Sequence, residues 1–182
     1  MRLPLHAHPD SPGPADTRIA VEVVRPAPGR LALAYEVTGR IAAIRWPAPA
    51  APVRTDGLWR HTCLEAFLAP GPAEAYLEIN LSPSTAWAVY RFDSYRSGMR
   101  AADALGAPAI TPRAAPDRFV LAAVLDLAGL PELDPRRPWR LGLSAVIEDT
   151  EGRVSYWALA HPPGAPDFHH AAGFAHPLPP CT

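Results

Sequence analysis

Cys63-Leu-Glu-Ala-Phe-Leu68 and Ala75-Tyr-Leu-Glu-Ile-Asn-Leu81 decide the fold of this chain. In the first run Leu64, Ala66 and Leu68 fall on one side, and Cys63, Glu65 and Phe67 on the other. In the second, Ala75, Leu77 and Ile79 alternate with Tyr76, Glu78 and Asn80. A period of two marks strands, whose successive side chains point to opposite faces. Ala69-Pro-Gly-Pro-Ala-Glu74, between the runs, has the composition of a turn. Symmetric closure about Pro70–Ala73 predicts a hairpin in which Phe67 faces Tyr76, Glu65 faces Glu78 and Cys63 faces Asn80. The wholly apolar side reads as the core side. The side with Glu65, Tyr76, Glu78 and Asn80 then looks outward or lines a polar groove.

The same alternation recurs outward from this hairpin. It appears in Arg18–Val24, Leu31–Val37, Thr85–Phe92, Phe119–Leu125, Trp139–Ile147 and Val154–Leu159. Prolines cut these runs apart. There are 24 among 182 residues, well above the usual share of about 5%, and proline suits turns and sheet edges. Ser94–Leu105 and Asp126–Leu130 admit short helical turns, with no long-helix rhythm. The prediction is an all-β, jelly-roll-like antiparallel β-sandwich with an irregular C-terminal segment from Pro162 onward. Residues 1–17 read as a flexible leader, 18–178 as the single sandwich domain and 179–182 as a tail.

Composition narrows the function. With 17 basic and 18 acidic residues the net charge is -1, which gives no field for capturing nucleic acid or an anionic membrane. No run approaches the roughly 18 apolar residues of a membrane span. Prolines and the polar residues His6, His8 and Asp10 break up the start, so it does not read as a secretion signal. A cytoplasmic protein is expected. Cys63 reads as a buried thiol, and Cys181 lies in the proline-rich tail.

Two opposed carboxylates repel unless a cation, an arginine or a shared proton joins them. Arg91, taken to lie on the outward alternation of the next strand, is the expected partner of Glu65 and Glu78. Two readings follow. In one, Glu65 and Glu78 accept hydrogen bonds from a ligand's hydroxyls, Arg91 donates, and Trp59, Trp87 and Trp157 offer flat apolar surfaces. In the other, the carboxylates and arginine form a structural network and the tryptophans are core. Paired glutamates also suit glycosidases, but nothing marks one as the proton donor, so no catalytic residue is assigned and a non-enzyme is expected. His6, His8, His61, His161, His169, His170 and His176 match no zinc spacing and read as structural. No metal site is assigned. Calcium at the acidic turn Glu148–Glu151 and haem on Met99 with a C-terminal histidine are the cofactor alternatives.

Several stretches together resemble DOMON-like and family 9 carbohydrate-binding-module-like domains: Gly57-Leu-Trp-Arg-His-Thr-Cys-Leu-Glu-Ala-Phe67, Tyr76-Leu-Glu-Ile-Asn-Leu-Ser-Pro83 and Trp87-Ala-Val-Tyr-Arg-Phe92. Ser155-Tyr-Trp-Ala-Leu-Ala-His-Pro162 and Pro166-Asp-Phe-His-His170 resemble a bacterial, stand-alone subgroup. The resemblance implies a β-sandwich that binds sugar or haem. In the sugar binders two aromatic rings sandwich the sugar, while glutamate, asparagine and arginine hold its hydroxyls. Carried over, Trp59 is the first platform, Glu65 the carboxylate six residues on, Arg91 the arginine and Trp157 the second platform. The family's usual aspartate before the glutamate is replaced here by Arg60-His61-Thr62. The expected ligand-binding set is Trp59, Glu65, Glu78, Asn80, Arg91 and Trp157, with a sugar or other polyhydroxyl partner. A scaffold or protein-interaction domain and a haem-binding domain are the alternatives.

Overall fold

In strand β3 (Arg30–Thr38), Leu31, Leu33, Tyr35 and Val37 are buried, while Ala32, Ala34, Glu36 and Thr38 between them are half-buried. Strands β2 (Arg18–Val24) and β9 (Arg118–Asp126) repeat the pattern on either side of it. This wall ends at β8 (Ala109–Ala115). The prolines in and beside it, Pro108, Pro112 and Pro116, alone predict a break there. Pro112 is compatible with a strand there because β8 is an edge and its outer side has no ladder to complete. The computed structural model describes residues 1–71 and 74–181.

The second sheet consists of β4 (Cys63–Pro70), β5 (Tyr76–Leu81), β6 (Trp87–Phe92), β7 (Arg100–Ala101), β10 (Trp139–Glu148) and β11 (Val154–Ala158). Their order is β7-β6-β5-β4-β10-β11. A short β12 (His176–Leu178) pairs with the start of β10. Ile19, Val21, Leu33, Leu121 and Leu125 of the first sheet share one core with Leu64, Ala66, Leu77, Ile79, Leu143 and Ile147 of the second. Each large aliphatic side chain sealed there contributes about 1.5–3 kcal/mol. Tyr35 crosses this core, and its hydroxyl donates to the backbone carbonyl of Glu65 at 2.5 Å. Buried hydroxyls need such a partner, and this one ties the first sheet to the strand that carries Glu65. The architecture is the expected antiparallel β-sandwich. No helix among the described residues is long and apolar enough to cross a membrane.

Three expectations change. Residues 1–17 are not a leader outside the domain. Arg2–Ala7 forms β1, which pairs with β2 through Arg2–Leu5 and with β11 through His6 and Ala7. Its alternation is short and broken by Pro4, which hid it, but Leu5 is buried in the core and His8 beyond it is buried too. Ser94–Leu105 holds turns and β7 in place of a helix. The hairpin register is shifted by two, with Glu65 opposite Asn80, Phe67 opposite Glu78 and Leu68 opposite Leu77. Ala69 and Pro70 pair with β10 and have left the β5 ladder, so the connection is longer than a symmetric turn. The turn expected at Pro70–Ala73 falls partly on residues 72 and 73, outside the described residues. An even shift moves partners but preserves faces.

The two sheets differ in one respect that positions the site. The first alternates buried and open residues, but β4 and β5 are buried on both faces. The outer face of the second sheet carries its own apolar layer of Phe67, Ala69, Tyr76, Ala88, Tyr90, Phe92 and Phe174. The C-terminal segment lies against it.

Candidate functional site

A cavity of about 350 Å³ opens on this outer face. Its floor is built from strand alternation: Glu65 and Phe67 of β4, Glu78 of β5, Phe92 of β6, Val146 of β10 and Tyr156 of β11. Its walls are three irregular pieces. Trp59 comes from the turn Leu58–Arg60, Arg96 and Met99 from the loop after β6, and Pro166, Phe168 and His169 from the C-terminal segment.

Glu65 and Glu78 are 2% and 5% exposed. Ser144 Oγ donates to Glu65 Oε2 at 3.0 Å, and Asn80 Nδ2 donates to Glu78 Oε1 at 2.7 Å. Asn80 is itself fully buried, and its Oδ1 lies 3.6 Å from the Cys63 thiol. Burial, then the charge of Glu78, raises Glu65 to about 8 against the Ser144 hydrogen bond. Burial also raises Glu78, opposed by the Asn80 hydrogen bond and the positive charge of Arg96. The two carboxyl groups therefore hold a proton at neutral pH instead of two full charges.

His169 is fixed by a chain of hydrogen bonds. Asp167 Oδ1 accepts its backbone N–H at 3.1 Å, so the residue two positions earlier sets its turn. The backbone N–H of Arg96 donates to the Tyr76 hydroxyl at 3.1 Å, and that oxygen lies 2.8 Å from His169 Nδ1. Burial, then Arg96, lowers His169 to about 4, so its ring is neutral. With Tyr76 donating to Nδ1, the ring proton sits on Nε2, which faces Glu78 Oε2 across 3.8 Å. That gap is too long for a direct hydrogen bond. Tyr76→Phe is expected to cost about 1–3 kcal/mol, because it strands both Nδ1 and the Arg96 N–H. Urea unfolding checks this, and an unchanged midpoint would mean that the chain of bonds does not hold the segment.

The structure brings Trp59, Glu65 and Glu78 to the cavity, with Asn80 directly behind Glu78. It does not bring Arg91 or Trp157. Arg91 stands opposite Leu77, on the other face from Glu78, and pairs with Glu132. Tyr90 takes the place opposite Glu78. Trp157 faces the core beside Ala145, its indole N–H donating to Ser155 Oγ at 3.0 Å, and Trp87 is likewise core. The neighbouring Tyr156 reaches the cavity instead. The arginine at the site is Arg96, held by Asp167 at 2.8 Å from a left-handed turn (φ 51°) that alternation cannot signal. Trp59 meets Tyr90 edge-on at 5.8 Å and is the one tryptophan among the cavity's lining residues.

Elsewhere, the carboxylates of the acidic turn are engaged. Glu148 bonds Arg45 and His61, and Asp149 bonds Arg153. Among the described residues no cluster of three or more histidine, cysteine or acidic side chains is placed to hold a metal ion.

No family model matches the sequence, and no curated protein matches it. Solved structures do. One is described as a "putative carbohydrate-binding protein" from Bacteroides uniformis. It superposes with a TM-score of 0.72 at 14% identity, over 95% of this chain and 83% of that one. Another is a family 9 carbohydrate-binding module from Caldicellulosiruptor kristjanssonii, solved with cellotriose. It gives 0.52 at 12% identity, over 88% of this chain and 74% of that one. At such identities the likeness is one of fold, and the chain has the β-sandwich fold seen in family 9 carbohydrate-binding modules.

Proposed function

We propose that this chain is a non-catalytic carbohydrate-binding domain that takes a polyhydroxyl ring into the cavity above Glu65 and Glu78. The observation that carries the reading is the cavity's lining: rings of Trp59, Tyr156 and Phe168 around two buried carboxyl groups. A sugar has apolar C–H faces that pack on rings and hydroxyls that need buried polar partners, and a ligand pocket of this kind offers both. Glu65 and Glu78 accept from hydroxyls, while Arg96 and His169 Nε2 donate. The fold shared with a module solved with cellotriose supports the reading.

Haem fits the cavity less well, although Met99 and His169 both line it. Nδ1 of His169 is held by Tyr76, and Nε2 stands 3.8 Å from Glu78 Oε2, so a carboxyl group already faces the nitrogen that iron would need.

Tryptophan fluorescence titration against a panel of mono- and trisaccharides tests the proposal. Trp59→Ala is expected to weaken binding by about tenfold or more, through lost ring contact. Arg96→Ala should also weaken it, and Arg91→Ala should leave the dissociation constant unchanged. If no saccharide binds, or if Arg91→Ala is the damaging change, the assignment of this cavity fails. The outer layer is then a structural or protein-interaction surface.

A further inference from the structure

The two glutamates carry more than a general affinity for hydroxyls. Each has one oxygen filled by a neutral donor, Ser144 or Asn80. Glu65 Oε1 and Glu78 Oε2 have no hydrogen-bond partner among the described residues, and both side chains line the cavity. A buried anion needs a counter-charge or a proton. The titratable and charged groups around the pair supply no free positive charge. Cys63 and Tyr35 lie along β4 and behind it, and Tyr76 and Tyr90 on the neighbouring strands. From the loops, Arg96 is held by Asp167, and His169 is neutral with its ring bonded to Tyr76. The rest of the lining is largely aromatic, including Trp59, Phe67, Phe92, Tyr156 and Phe168. Ring faces attract cations, most strongly where water is excluded.

We propose that the ligand is an amino sugar, whose protonated amine sits between the open oxygens of Glu65 and Glu78 inside this aromatic enclosure. The inference rests on the carbohydrate reading above and adds the charge of the ligand. An ammonium brings three donors, enough for both open oxygens with one to spare. The proton balance follows from the free site. At neutral pH the carboxyl pair holds a proton, since burial and the charge of Glu78 raise Glu65 to about 8. The ammonium supplies the missing positive charge, so that proton leaves the pair and about one proton is released to solvent on binding.

Calorimetry of the intact chain decides the matter. It is run at pH 6, where the free amine is already protonated and the carboxyl pair still holds its proton, with glucose, glucosamine and N-acetylglucosamine and their β-1,4-linked trimers, in two buffers of different ionisation enthalpy. The amine forms are expected to bind about tenfold or more tightly than their hydroxyl and acetylated counterparts. Their heats should vary with the buffer as release of one proton requires. Glu65→Gln with Glu78→Gln, a near-isosteric pair of changes, is expected to abolish that preference and the buffer dependence. If hydroxyl sugars bind as tightly as amines, or no proton is released, the amino-sugar proposal is overturned and the carbohydrate reading stands. If none of the saccharides binds, both fall.

Discussion

Urea unfolding is expected to show the protein losing stability as pH rises from about 6.5 to 8, and Glu65→Gln is expected to remove most of that loss. The sign comes from the direction of two shifts. Glu65 moves from an ordinary 4.5 to about 8 on folding, so the folded state favours its protonated form. Its contribution is fully present below the unfolded value and is lost as pH climbs through the folded one. His169 moves the other way, from 6.5 to about 4. Its contribution is present above 6.5 and is lost as pH falls toward 4. Between about 4.5 and 6.5 the two slopes oppose each other, and from 6.5 to 8 only that of the carboxyl remains. Glu78 is raised as well and adds to the same limb. A carboxyl moved this far accounts for a difference on the order of 3–5 kcal/mol between its acid and alkaline plateaus. Glu65→Gln keeps an oxygen for Ser144 and carries no charge. It should therefore match the parent near pH 5 and exceed its stability at pH 8.5, leaving the histidine limb visible at low pH. A flat parent profile above pH 6.5 would show that the pair is solvated or neutralised by some other group.

Such a carboxyl pair was legible in part from the chain alone. Leu64, Ala66 and Leu68 against Glu65 and Phe67 fixed which side faces the core, and an error of two in register left that side unchanged. Arg91 and Trp157 could not be placed this way. In β6 both Trp87, Val89, Arg91 and Ala88, Tyr90, Phe92 are rich in apolar groups, because this sheet is covered on both faces. Alternation then separates two sets without saying which is inside. The same ambiguity separates Trp157 from Tyr156, where both candidates are aromatic. Arg96 and His169 were beyond any periodic signal. One sits on a turn with positive φ, and the other is brought by a segment with almost no ladder of its own. The bond from the His169 N–H to the Asp167 side chain is local and was in principle readable as an Asx turn. Its consequence, a histidine facing Glu78, depends on how residues 166–174 cross the sheet. Long-range packing sets that crossing.

Phe67→Ala is expected to be among the most destabilising single changes at this face, at about 3–5 kcal/mol. Phe67 is 1% exposed on the outer side of β4. Its ring lies 6.3 Å from Tyr76, 5.4 Å from His169 and 5.8 Å from Phe174, two of these contacts being edge-on. It is thus the common neighbour of the strand and the C-terminal segment that covers it. Gly142 shows how close that cover lies: a Cβ there would come within 3.2 Å of Phe67 Cβ and 3.1 Å of the Gly173 carbonyl oxygen. Removing the ring leaves a void that so tight a backbone contact cannot collapse to fill, hence a cost toward the upper end of large-to-small changes. Phe67→Leu keeps most of the volume and should cost less, which gives a folded variant for a second measurement. Proton NMR of that variant should show the His169 titration moving up from about 4 toward its ordinary value, as water reaches the ring. A cost below about 1 kcal/mol for Phe67→Ala, on a scale where surface changes stay near 0.5 kcal/mol, would show the outer layer to be peripheral. The full cost together with the shifted histidine would show that one aromatic residue both anchors the cover and keeps water from His169 beside the carboxyl pair.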